Sequence, residues 1–169
     1  MTKLHTGTIS SSGFSLRPIC DDDLPTTLQW RNKKRIRPWF KSSEAITPIQ
    51  HRNWFRDYLT RDDDLVYIIE ENDVAVGQIS LYNINRSDNS AEFGRLMIGD
   101  DRALGKGVAR DSAALLVTFA MEQLGITTIY LEVLKNNAPA IRIYEAVGFK
   151  EEQSRDDTVL KMWLRAAHD

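Results

Sequence analysis

Met97-Ile-Gly-Asp-Asp-Arg-Ala-Leu-Gly-Lys-Gly-Val-Ala-Arg110 is the stretch around which the chain is arranged. A β-type run from Glu92 to Ile98 leads into it, a glycine-containing turn follows, and an amphipathic helix opens at about Gly107. The first N–H groups of a helix have no intrahelical partner, and the helix dipole adds partial positive charge. Strand, glycine turn and helix N-terminus therefore form an anion site, and residues 104–109 are expected to hold a phosphate-bearing ligand. A lone Gly-x-Gly carries little weight, so the rest of the chain must decide.

On either side of this turn the pattern alternates between strand and helix. Phe14–Ile19 alternates apolar and polar residues, and Pro18 suits a strand end. Asp21-Asp22-Asp23 caps a helix over Leu24–Arg31. Thr47 followed by Pro48 opens a second helix to about Thr60. Leu65–Glu70 and Val74–Ile84 read as a hairpin around Glu71-Asn-Asp73, and Ala91–Ile98 as the antiparallel neighbour of the second strand. The helix from Gly107 to Leu124 buries positions 108, 115, 116, 119, 120 and 124, and Gly125 stops it. Thr128–Leu134 is a buried strand reached by a right-handed crossover and so parallel to its neighbour. Asn137 caps a helix with Pro139 in its first turn and Gly148 at its end. Phe149 starts a strand, Ser154-Arg-Asp-Asp157 turns the chain, and Thr158–Arg165 is the last strand. The expectation is an α/β (α+β) fold with a mixed, mostly antiparallel sheet of about seven strands and about four helices. Residues 1–13 read as a flexible lead-in and 14–169 as one domain.

Composition narrows the function classes. The 169 residues are 42% hydrophobic and 27% charged with a net charge of −2, which gives a real core and no basic excess for nucleic acid. No apolar run approaches the ~18 residues of a membrane span. Cys20 is alone, so internal disulfides and thiolate clusters are excluded, and a reducing cytoplasm is the expected location. His5, His51 and His168 are scattered without metal-ligand spacing, and no metal is expected.

Two stretches carry a family resemblance. Leu104-Gly-Lys-Gly-Val-Ala109 lies at the strand-to-helix turn. Asn137-Ala-Pro-Ala-Ile-Arg-Ile-Tyr-Glu-Ala-Val-Gly-Phe149 fixes five residue types at set spacing, as in Asn-x-x-Ala-x-x-x-Tyr-x-x-x-Gly-Phe. With the hairpin region and Trp30-Arg-Asn32 they resemble the GNAT N-acetyltransferases over roughly residues 14–165. That family's phosphate turn is usually Gln/Arg-x-x-Gly-x-Gly/Ala. Here the helix register places Leu104, Gly107 and Ala109 in those positions, with leucine in place of the polar residue. The alternative frame Arg102-x-x-Gly105-x-Gly107 starts the helix two residues too early.

The resemblance implies acetyl-CoA as acetyl donor and a sheet splayed at its site. The pyrophosphate would lie on Leu104, Gly105, Lys106, Gly107, Val108 and Ala109. The pantetheine would run along Leu96, Met97 and Ile98 like an added strand, with Asn137 in contact. Tyr144, two helical turns after Asn137, matches the family's tyrosine acid. Glu92 is the base candidate, with Gly94 leaving room for substrate and with Glu132 and His51 as weaker alternatives. An amine must be neutral to attack a thioester, so a group that takes a proton is required.

Acceptor specificity is expected from residues 28–60. Trp30-Arg-Asn-Lys-Lys-Arg-Ile-Arg-Pro-Trp-Phe40 sets five cations among three aromatics. Either it is a solvated surface, or it is a pocket wall for an anionic, ring-bearing acceptor. Trp30, Arg31, Asn32, Arg37, Trp39, Phe40 and His51 are the substrate-binding candidates. They are similar to a branch that acetylates nucleotide-linked amino sugars, which ranks that small-molecule amine first. A ribosomal-protein α-amine and then a polyamine follow, and an acyl-CoA-binding sensor is the non-enzyme alternative. A homodimer is left open.

Overall fold

The strand that fixes the sheet is the run Leu65-Val-Tyr-Ile-Ile69, apolar at every position and buried on both faces. In the computed structural model, which describes residues 3–153 and 155–167, it lies inside an eight-stranded sheet. The strands are β1 (Ile9–Ser11), β2 (Phe14–Pro18), β3 (Asp64–Glu71), β4 (Val74–Asn85), β5 (Ser90–Ile98), β6 (Thr128–Leu134), β7 (Lys150–Glu152) and β8 (Val159–Arg165). The helices are α1 (Leu24–Arg31), α2 (Pro48–Tyr58), α3 (Val108–Gln123) and α4 (Ala138–Val147). The sheet order is β1-β2-β3-β4-β5-β6-β8-β7. Among the described residues only β5 and β6 pair in parallel, as a crossover through α3 requires.

Residues of alternating parity build two layers. Tyr67, Ile69, Ile79, Leu81, Phe93, Ile129, Leu131 and Met162 face α3 and α4, meeting Ala113, Leu116, Ala120 and Tyr144. On the other face Val66 and Ile68 meet Leu24, Phe55 and Tyr58 of α1 and α2. Asn72 and Asp73, both at positive φ, make the two-residue β3–β4 hairpin.

The N-terminal segment departs from the expected lead-in. Ile9–Ser11 pairs with Phe14–Leu16 as an eighth strand, and Ile9 packs on the core. Gly13, at φ +84°, makes the turn. A three-residue strand is too short to show alternation, so sequence periodicity passes over it. Met1, Thr2, Ser154 of the expected turn, His168 and Asp169 lie outside the described residues.

Two irregularities position the site. The register between β4 and β5 shifts where Arg95 and Leu96 oppose Ile79, with Arg95 at φ +52°. It shifts again where Asn83, at φ +48°, and Ile84 oppose Ala91. Such bulges bend a strand and re-aim its side chains. The β5–β6 pairing ends at Glu92↔Tyr130, and beyond it β6 pairs only with β8. The β6-facing edge of β5 from Phe93 to Ile98 is thus left without a strand partner.

Candidate active site

An open cleft of about 1390 Å³ occupies this divergence. Its cofactor-like end is built as the turn sequence dictates. Gly107 is the N-cap of α3 at φ +77°, a conformation that costs a side-chain-bearing residue about 1–2 kcal/mol. The first bond of the helix runs from Asp111 N–H to the Gly107 carbonyl, 3.0 Å, so the N–H groups of residues 108–110 face outward. The helix start supports the Leu104 frame. Arg102 stands in a preceding 3-10 turn with its guanidinium folded back on Asp100.

Leu96, Met97, Ile98, Leu104, Gly105, Gly107, Val108, Ala109 and Asn137 all line the cleft. Asn137 also caps α4, accepting from Ala140 N–H at 3.4 Å. Lys106 does not line the cleft; its ammonium turns away to Glu71 of β3, 3.8 Å. Arg110 and Arg142 do line it, and neither was singled out from the sequence. The outward N–H groups, the positive-φ glycines, the unpaired β5 edge and these two cations fit a pyrophosphate and an extended pantetheine arm.

Glu92 and Tyr144 approach the cleft from opposite faces of β5. Glu92 shares a face with Tyr82 and Tyr130, its cross-strand partners. It is 7% exposed, accepting from the Tyr82 hydroxyl at 3.1 Å and from the Asn83 amide at 2.8 Å. It has no ion pair among the described residues, because Arg95 pairs instead with Asp64 at 2.8 Å and lies over the Tyr82 ring at 4.1 Å. Burial, reinforced by the Glu92 charge, raises the Tyr82 pKa, so this phenol stays a donor. The room expected beside Gly94 is taken by that phenol. A Cβ at position 94 would lie 2.8 Å from the Tyr82 oxygen.

Tyr144 is buried on α4, edge-on to Phe93 at 5.7 Å and to Phe149 at 6.0 Å. Its hydroxyl has no hydrogen-bond partner among the described residues and faces the cleft, and burial pushes its pKa up to about 12.

The acceptor candidates divide. Arg31, Trp39 and Phe40 line the cleft. The Arg31 guanidinium is over Phe40 at 4.2 Å and donates to the Ser42 carbonyl at 2.6 Å. Its other terminal nitrogen is buried without a partner among the described residues. Trp30, Asn32, Arg37 and His51 do not line the cleft. Trp30 lies flat against Gly99 in a small core with Ile36 and Met97. Asn32 exchanges two 2.8 Å bonds with the Ile46 backbone, which shapes the loop before α2. His51 is buried between α1 and α2, 2.8 Å from the Thr27 hydroxyl and stacked on Trp54.

The basic run is also largely engaged. Lys33 donates to the Gly99 carbonyl at 2.7 Å and to Asp101 at 3.2 Å. Arg35 donates to Asp101 at 2.9 Å and to the Gly99 carbonyl at 3.2 Å. These bonds clasp the 33–43 loop to the segment that leads into the glycine turn. Among the described residues no three His, Cys, Asp or Glu side chains converge as a metal site, and no helix is long and apolar enough to cross a membrane.

Comparison with known proteins agrees with this geometry. The chain is 28% identical over 142 residues to an uncharacterized protein of Methanocaldococcus jannaschii, matching 83% of this chain but only 28% of that protein's length. It is 28% identical over 145 residues to the spermidine N(1)-acetyltransferase of Escherichia coli K12, with 85% and 76% of the two chains covered. The solved structure of RimL, a ribosomal L7/L12 α-N-protein acetyltransferase in complex with coenzyme A, superposes with a TM-score of 0.82 at 16% identity. That match covers 94% of this chain and 97% of RimL, and it speaks for the fold alone. Residues 14–150 match the acetyltransferase (GNAT) domain, and the chain belongs to the GNAT family.

Proposed function

We propose that the protein transfers an acetyl group from acetyl-CoA to a primary amine, with Glu92 as base and Tyr144 as acid. The observation that carries this is Glu92 itself. It is a buried carboxylate without an ion-pair partner among the described residues, held by two donors at the point where β5 and β6 part. Acetyl-CoA supplies a thioester-activated acetyl group. Glu92 accepts the proton that the amine sheds as the N–C bond forms. Tyr144 holds its proton toward the cleft and gives it to the sulfur as the C–S bond breaks. Backbone N–H on the unpaired β5 edge near Met97 steadies the carbonyl oxygen as it gains charge.

For the acceptor, the reading favoured here is a cationic alkyl amine. Of the cations that line the cleft, Arg110 and Arg142 are assigned to the pyrophosphate, Arg35 is satisfied by Gly99 and Asp101 and Arg95 by Asp64, and the wall also presents Glu92 and Glu132. The second reading is the anionic, nucleotide-linked amino sugar, and Arg31 favours it. A buried guanidinium with an unpartnered nitrogen suits an anion.

The test is thiol release from acetyl-CoA against a panel of polyamines, nucleotide-linked amino sugars and peptide α-amines. Turnover with at least one amine is expected, and Glu92→Gln should lower kcat by about 10²-fold while acetyl-CoA affinity is kept. Tight acetyl-CoA binding with no turnover across the panel would reduce the protein to a sensor. An unchanged kcat in Glu92→Gln would remove it as base.

A further inference from the structure

The mouth of the cleft is crossed by an ion pair that the reaction does not need. Lys41, on the loop between the 3-10 turn at Arg37–Trp39 and α2, places its ammonium 3.3 Å from Glu132 of β6. The two side chains come from opposite walls of the opening, and both line it. Glu132 is two residues beyond Tyr130, the cross-strand partner of Glu92. The two carboxylates therefore share a face, and Glu132 stands about 7 Å further along β6. Tyr130 shares that face beside Glu92, its ring tilted against Trp163 at 5.2 Å. Glu132 has a cation opposite it on β8 as well, since Lys161 is its cross-strand partner. That ammonium instead sits over the Tyr130 and Trp163 rings, at 5.3 and 4.7 Å.

We propose that Glu132 is the specificity residue for a second ammonium on the acceptor, and that Lys41 occupies that ammonium's place until the acceptor arrives. This rests on the acetyltransfer reading above. An amine held at Glu92, with a short alkyl chain running along the cleft, delivers a remote positive charge to Glu132. The Lys41 ammonium already marks that position as one where a cation is seated. Lys41 is 81% exposed, so its bridge is weak and readily displaced. The carboxylate is thus kept partnered in the free enzyme and becomes available to a dication. A monoamine reaches Glu92 but leaves the Lys41–Glu132 bridge closed.

The experiment compares diaminobutane with butylamine as acceptors for the full chain, by thiol release at saturating acetyl-CoA. The wild type should show a lower KM for the diamine. Glu132→Gln should raise the diamine KM about five- to ten-fold, leave that of butylamine within two-fold, and leave acetyl-CoA affinity unchanged, the scale of one charge-assisted bond lost. Lys41→Ala should lower the diamine KM, and added salt should raise the diamine KM in the wild type more than in Glu132→Gln. Equal effects of Glu132→Gln on both amines, or none on the diamine, would overturn the proposal while leaving acetyl transfer intact. Lack of thiol release with every amine would overturn the underlying reading and this proposal with it.

Discussion

Tyr144→Phe separates chemistry from packing more cleanly than any other change in the site. The ring stays edge-on to Phe93 and Phe149, so the packing in the splay is kept. Only the hydroxyl is lost, and it has no partner among the described residues. A buried hydroxyl without a hydrogen bond costs about 1–3 kcal/mol in protein interiors. This one opens on the cleft, so removing it should be neutral or stabilising by up to about 1 kcal/mol. For a chain of this length that is a melting temperature raised by about 0–3 °C. The loss of proton donation should lower kcat by about 10²-fold, the lower end for acid–base groups. Acetyl-CoA affinity should move by less than about three-fold. Because burial pushes the phenol up to about 12, it stays protonated throughout pH 7–10 and contributes no alkaline limb there. Steady-state thiol release, calorimetric titration of acetyl-CoA and a thermal melt measure the three quantities. A kcat within three-fold of wild type, or parallel losses in kcat, affinity and melting temperature, would refute the acid role and make Tyr144 a packing residue.

Three further changes probe the surrounding structure. Gly107→Ala should cost about 1–2 kcal/mol, because the N-cap sits at φ +77°. The added Cβ meets only the flexible end of Arg110 at 3.1 Å, so a weakened acetyl-CoA affinity by titration would trace to the helix start. Asp101→Asn loosens the clasp of Lys33 and Arg35, and should raise the acceptor KM several-fold with little change in melting temperature. A loss confined to acetyl-CoA binding would show instead that the clasp serves only the cofactor turn. Burial, aided by the nearby Arg31 charge, holds His51 below its ordinary pKa. The unfolded chain then binds a proton that the folded one resists. Stability should therefore fall as pH drops from about 6.5 toward the depressed folded value. Urea unfolding between pH 7.5 and 5 should show a steeper loss in wild type than in His51→Gln, and equal slopes would contradict this.

What could be read from the chain alone was what is local. Asn137, Pro139 and Gly148 mark their helix by cap, first turn and stop, and α4 spans Ala138–Val147 accordingly. Gly107 opens α3 because few other residues sit comfortably at its φ. The charge run from Arg31 to Arg37 was different. Its sign was plain, but Asp101 lies 66 residues from Arg35, and no periodicity connects them. The same holds for Glu92. Its type and strand were legible, whereas its donors depend on where a bulge forms. Asn83 reaches Glu92 from a residue at φ +48°, and Tyr82 fills the space beside Gly94 that looked open. Lys106 shows the converse limit. A cation in a phosphate turn invites a phosphate role, yet its side chain turns to Glu71.

The position of Glu92 in the sheet shows how the proposed base and acid could reach one bond from different layers. It is the last β5 residue paired with β6, so strands on both sides hold its backbone, and Tyr82 and Asn83 hold its carboxylate. The next residue, Phe93, points to the opposite face and touches Tyr144. One peptide unit therefore carries the proposed base on one face and braces the proposed acid on the α4 face. From there the β5 edge lies open, and the bulge at Arg95 bends the strand. Had β5 and β6 stayed paired through Ile98, the parallel ladder would have consumed the edge that a pantetheine needs, and Tyr144 would have faced a closed sheet. The short three-residue pairing is thus the architectural condition of the site, and a lengthened ladder would abolish it even with Glu92 and Tyr144 in place.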